Sequence, residues 1–229
     1  MNSESLFLHE EILLLMLNNE KGTLTANQPE CLISGGLLAE LLLERRISVV
    51  DARKKLVETD SAHRVDDPIV DECLQMIRLA KKPASSKDWV SRISSVKRLR
   101  HKVAQQLCNR GVLQAVDDTV LFVFPRRRYP QIDPSPENEI LERLRDAIFR
   151  DEKLLHPRTV ILISLANGAG LLDKLFGRKE IKARKKRIEQ IVDGEITGTA
   201  TKEVIEACQA AAVMAAIMPA LVDTTSAGN

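Results

Sequence analysis

Rings are scarce in this chain: one Trp, one Tyr and five Phe make up 3% of its 229 residues. Leu, Ile, Val and Ala supply the apolar content instead, a balance that favours helix packing over β-sandwiches. Cysteine is equally thin. Cys31, Cys73, Cys108 and Cys208 form no C-x-x-C pair and no His cluster accompanies them, so they read as reduced, mostly buried thiols of a cytosolic protein and not as a zinc site. Excess charge of one sign is missing too. The formal net charge is only +2, which argues against a strongly nucleic-acid-seeking domain but leaves room for a local basic patch. No apolar run reaches the ~20 residues of a spanning helix. The longest uncharged stretch, Ala207 to Val222, is Ala-rich and contains Gln209 and Pro219, and reads as a buried core helix. The N-terminus carries Glu4, Glu10 and Glu11 without a basic leader, unlike a signal peptide. Glycine-rich phosphate loops, G-x-S-x-G and H-E-x-x-H are absent, and His9, His63, His101 and His156 are scattered. Nothing argues for an enzyme, and no cofactor or metal is expected.

What the chain does contain is helical periodicity. With 44% hydrophobic and 29% charged residues, it is long enough to bury a sizeable core. Leu6 to Leu17 is an apolar helix opened by acidic residues. Glu10 and Glu11 diverge by about 100° on a helix, so they read as an N-terminal charge pair and not as a paired acid site. In Cys31 to Arg45, Ile33, Leu37, Leu38, Leu41 and Leu42 recur at helical spacing, and Leu43 widens the stripe. A helix apolar on most faces belongs at the centre of a bundle, and Gly35 and Gly36 would admit a neighbouring backbone. A short strand follows at "ISVVD". Asp67 to Ala80 is a helix, Lys81 to Lys87 a loop, and a further helical segment begins at Trp89.

Ser95 to Arg110 reads as one basic helix. Val96, Leu99, Val103 and Leu107 form its buried stripe; Lys97, Arg100 and His101 lie on one flank, Arg98 and Lys102 on the other. Two cations three residues apart on a helix can grip a phosphate, to which Arg adds a planar two-pronged donor. A merely solvated face fits the same spacing. "GVLQAVDDTVLFVFPRRRYP" reads as a β-hairpin with its turn at Asp117 and Asp118, ended by Pro125. Arg126, Arg127 and Arg128 then follow it as a second basic cluster beside Phe122, Phe124 and Tyr129. Basic residues next to rings suit an anionic membrane surface or a nucleic-acid backbone. After a Pro-rich loop come helices at Glu137 to Arg150, Arg158 to Phe176, Ile181 to Val192 and Thr201 to Met218. The expected architecture is mainly α: a single-domain helical bundle around a central apolar helix, with an inserted β-hairpin and a short disordered C-terminal tail. Three readings of the basic stretch stay open: an anionic-lipid binder, a winged-helix-like nucleic-acid binder, and an adaptor for protein partners alone.

Four segments, in this order, resemble signatures of the Golgi phosphoprotein 3 family: "SLFLHEEILLLMLNNEKGTL", "SGGLLAELLLERRI", "RLRHKVAQQLCNRGVL" and "LISLANGAGLLDKLF". The resemblance runs from about Ser5 to Met218. It implies one largely helical domain with a β-hairpin, and a non-enzymatic adaptor that is cytoplasmic and peripherally membrane-associated. The implied partners are phosphatidylinositol 4-phosphate or another anionic phospholipid, and the cytoplasmic tails of membrane proteins; no nucleic acid is implied. This chain lacks the long acidic N-terminal extension of the eukaryotic forms and resembles a bacterial member. The family's lipid pocket has two arginines one helical turn apart, and their positions match Lys97 and Arg100. A third pocket arginine falls at Ser34 and a pocket tryptophan near Asn27 or Gln28, while Trp89 matches a different family tryptophan. Arg126, Arg127 and Arg128 stand as additional membrane contacts. The family's hairpin supports self-association, so a homo-oligomer is implied, with Leu121 and Val123 offering an apolar face.

Overall fold

The computed structural model describes residues 5–50, 53–120, 124–152 and 154–194. The elements in order are α1 (Leu8–Met16), β1 (Leu17–Asn18), β2 (Thr23–Leu24), α2 (Pro29–Leu43), β3 (Ile47–Val50), β4 (Leu56–Thr59), α3 (Pro68–Arg78), β5 (Ala84–Ser85) and α4 (Ser86–Ser94). Then come α5 (Leu99–Asn109), β6 (Val116–Val120), β7 (Phe124–Arg128), α6 (Ser135–Phe149), α7 (Pro157–Gly168), α8 (Leu171–Phe176), α9 (Arg178–Ala183) and α10 (Lys185–Val192). The protein is mainly α with small antiparallel strand groups: β1 with β2, a β3-β4-β5 trio, and β6 with β7.

α2 takes the central place that its apolar periphery predicts, buried from Cys31 to Leu42. Its Gly36 lies against α1: a Cβ there would sit 3.0 Å from the backbone of His9, so the missing side chain lets the two helices meet at their main chains. α1 is buried along its whole length. Asp67 caps α3, accepting hydrogen bonds from the amides of Ile69 and Val70. Ser85 and Asp88 form a reciprocal cap on α4, so the end of the expected 81–87 loop is a β-bridge running straight into a helix.

Three further expectations are corrected. The helix expected over 95–110 is two elements. α4 ends at Ser94, where the hydroxyls of Ser94 and Ser95 both donate to the carbonyl of Ser91, and Arg98 adopts a left-handed conformation (φ 61°) before α5 begins. The helix expected over 158–176 breaks at Gly170, also left-handed at φ 66°. The hairpin turn is not at Asp117 and Asp118. Both sit in β6, opposite Arg127 and Arg126, and Pro125 lies inside β7 opposite Thr119.

Glu10 and Glu11 lie in the first turn of α1, as expected of an N-terminal charge pair, and both are buried. They do diverge, and each meets a different arginine: Glu10 pairs with Arg110 and Glu11 with Arg143, both at 2.9 Å. Glu40 of α2 completes the set. It binds Arg158 of α7 through Oε1 at 2.6 Å and Oε2 at 3.1 Å, and accepts the Leu8 amide at 2.8 Å. Three carboxylates thus tie α1 and α2 to α5, α6 and α7. Burial pushes the carboxyls of Glu10 and Glu11 above the usual range, against the pull of their arginines. Cys31, Cys73 and Cys108 are free thiols. Cys208, the expected 201–218 helix, the tail, Leu121, Phe122 and Val123 lie outside the described residues.

Candidate anion-binding site

The break before α5 decides how its cations are displayed. Lys97 and Arg98 stand exposed on the turn, not on a helix, and neither has an ion-pair partner among the described residues. Arg100 sits on the first turn of α5, 46% exposed, with Nη1 3.5 Å from Oε1 of Glu30 at the start of α2. The other cations of the stretch are engaged. Lys102 binds both carboxylate oxygens of Glu72 on α3, and Arg110 turns inward to Glu10.

His101 is the centre of the arrangement. Its Nδ1 lies 2.9 Å from the hydroxyl of Tyr129, the residue after β7. This pair forms a ridge between two grooves, since His101, Tyr129 and Arg127 line both. The first groove, about 350 Å³, has an apolar floor of Leu13, Leu17 and Ala104, a wall from β2 (Thr23 and Leu24), and Arg100 at its rim. The second, about 760 Å³, runs between the α4–α5 turn and α3 and is edged by Lys97, Arg98 and Lys102. Lys97 and Arg100 therefore stand on opposite sides of the ridge. Ser34, Asn27 and Gln28 line neither groove; Ser34 is buried, its hydroxyl donating to the carbonyl of Glu30 at 2.7 Å.

The fold also joins two basic clusters that are far apart in sequence. β7 swings Arg127 beside α5. Burial lowers the His101 imidazole below its ordinary range, and the positive fields of Arg100, Arg98 and Arg127 lower it further. Three guanidinium groups converging on one half-buried ring mark a local positive potential that a chain of net charge +2 does not announce. The sequence signal for this convergence is a pair of acids on one arm of the hairpin facing three arginines on the other. Arg127 Nε donates to Asp117 at 2.7 Å and Arg128 forms an ion pair with Asp118 at 2.9 Å, cross-strand pairs that favour this register. Arg128 also donates to the Lys21 carbonyl. Arg126 takes part through its backbone opposite Asp118, and its side chain lies outside the described structure.

Chemically, the site offers guanidinium and ammonium donors around a polar ridge, which suits phosphate oxygens. Among the described residues, no group of three His, Cys, Asp or Glu side chains is placed to hold a metal ion, and no helix is long and apolar enough to cross a membrane. No curated protein shows significant similarity to the chain. The family model for Golgi phosphoprotein 3 matches residues 8–208.

Proposed function

Since the chain belongs to the Golgi phosphoprotein 3 family across residues 8–208, we propose that it is a peripheral membrane adaptor that binds anionic phospholipid head groups and does no catalysis. Lys97 and Arg100 meet the head group from the two sides of the His101–Tyr129 ridge, and Arg98 and Arg127 add to the field. Arg126 and Arg128 are further membrane contacts at the hairpin base. The observation that carries this reading is the convergence of Arg98, Arg100 and Arg127, from two elements, on one half-buried histidine. The adaptor's other partner is the cytoplasmic tail of a membrane protein, in keeping with the family.

The head group is read loosely. Phosphatidylinositol 4-phosphate is the family's ligand, but Ser34, Asn27 and Gln28 supply neither the third arginine nor the ring of that pocket. Phosphatidylglycerol or cardiolipin should compete to within about tenfold, ~1.4 kcal/mol. Each basic residue at an anionic membrane surface is worth about 1 kcal/mol. The double variant Lys97→Glu/Arg100→Glu, which reverses both charges, should therefore lose well over tenfold in vesicle flotation, and the difference should shrink as salt rises. Flotation of the double variant equal to that of the parent would end this reading. A DNA shift at lower protein concentration than vesicle binding would favour the nucleic-acid reading instead.

A further inference from the structure

The densest run of cations in the chain is not at this site. Residues 178–187, "RKEIKARKKR", hold seven Lys and Arg against one Glu, while the chain as a whole nets only +2. Two of the seven hold the fold together. Arg184 reaches the Phe149 carbonyl and Asp151, and Arg187 reaches the carbonyls of Ala147 and Glu152. The other five, Arg178, Lys179, Lys182, Lys185 and Lys186, are exposed. Of these only Lys185 has an ion-pair partner among the described residues, Glu189 at 3.5 Å.

The helices present these cations in an ordered way. Ile181, Ile188 and Ile191 are buried and pin α9 and α10 to the core. Arg178, Lys179, Lys182 and Lys185 then edge a groove of about 700 Å³ that also takes in Asp173 of α8. α8 in turn rests on the wall of the first groove: Lys174 Nζ donates to the carbonyl of Thr25 at 2.7 Å, directly after β2. Lys174 thus links α8 to the end of β2, whose Thr23 and Leu24 share the first groove with Arg100.

We infer that α9 and α10 form a second contact with an anionic lipid bilayer, continuous with the head-group site. The partner takes its identity from the membrane reading above, and the surface itself favours a bilayer over nucleic acid. Residues 178–192 contain no aromatic side chain, so they offer no stacking platform for bases. Four of the five exposed cations are lysines, flexible point charges suited to a fluid array of phosphates and not to paired recognition of one group. A bilayer is also a partner broad enough to meet the head-group site and α9–α10 at once, and two linked contacts multiply in avidity.

The test uses the full chain and phosphatidylcholine vesicles containing phosphatidylglycerol. The variant Arg178→Glu/Lys179→Glu/Lys182→Glu should lose at least about tenfold in flotation, and the same three residues changed to Gln should fall between it and the parent. Neither should alter calorimetric binding of soluble inositol 1,4-bisphosphate, which reports the α5 site. Flotation of the Glu variant equal to that of the parent overturns the inference. So does parent binding to poly-uridylate at lower protein concentration than to vesicles, abolished by the Glu variant. If Lys97→Glu/Arg100→Glu floats normally and the α9 variant does not, the head-group reading fails and the second contact stands.

Discussion

Replacing Arg158 with Met removes one partner of a pair whose other member has no route to water. Glu40 is fully buried, and after the change its carboxylate keeps only the Leu8 amide as a donor. Breaking a buried ion pair from one side costs about 3–5 kcal/mol. The lost bond from Arg158 to the Leu6 carbonyl, 2.9 Å in the parent, lies within that range. For a chain of this length each kcal/mol moves the midpoint by about 2–4 °C, so a loss of ~4 kcal/mol lowers Tm by about 8–16 °C. Arg150→Met is the control: it breaks an exposed i,i+4 pair with Asp146 and should cost less than about 1 kcal/mol. Glu40→Gln placed on top of Arg158→Met removes the stranded charge while still accepting the Leu8 amide, and should recover at least half of the loss. The assay is urea unfolding followed by circular dichroism. A single variant within ~1 kcal/mol of the parent, or a double no better than the single, would refute the reasoning.

Three other outcomes are expected. His9 is fully buried, and burial lowers its pKa to about 4 against the opposing charge of Asp67, 3.7 Å away. Because the folded value lies below the unfolded one, the unfolded chain takes up the proton first. The His9 contribution is intact above pH 6.5 and is lost as pH falls towards 4. The parent should therefore lose about 2 kcal/mol more than His9→Met between pH 7 and pH 5, and parallel pH profiles would contradict this. Gly36→Val should destabilise by about 1–3 kcal/mol, because its side chain meets the His9 backbone and not a mobile tip; an unchanged unfolding midpoint would show that α1 can shift. Deleting residues 114–123 should weaken concentration-dependent oligomers, and sedimentation of the parent as a monomer at all concentrations would give the hairpin another role.

The parts of this fold that show in the sequence are those decided locally. α2 announces itself because Ile33, Leu37, Leu38, Leu41 and Leu42 leave no polar face, and Gly36 marks the close crossing with α1. The break before α5 does not show, because the residue that adopts the left-handed conformation is Arg98 and not Gly or Asn. Asp117 and Asp118 have turn propensity, yet cross-strand pairing with the arginines of β7 overrides it. The divergence of Glu10 and Glu11 is readable from helix geometry, but their partners stand 100 and 132 residues further along. The same distance effect hid Arg127 from α5. The α9–α10 cations needed only a running charge count over residues 178–187.

The close crossing of α1 and α2 also sets the order in which the molecule can be assembled. These helices are neighbours in the chain, meet at their main chains and leave the ribosome ahead of α3 to α10. Yet they carry Glu10, Glu11 and Glu40, whose guanidinium partners are made much later: Arg158 follows Glu40 by 118 residues. At about 5–20 residues per second, that is a wait of roughly 6–24 s during synthesis. Until Arg110, Arg143 and Arg158 have all emerged, the α1–α2 pair keeps at least one of its three acids without a guanidinium partner, and it cannot close dry. The early half is thus held open by its own charges, and the late half completes it. Nascent chains cut before Arg110 should stay protease-sensitive, and those extended past Arg158 should become resistant in one step.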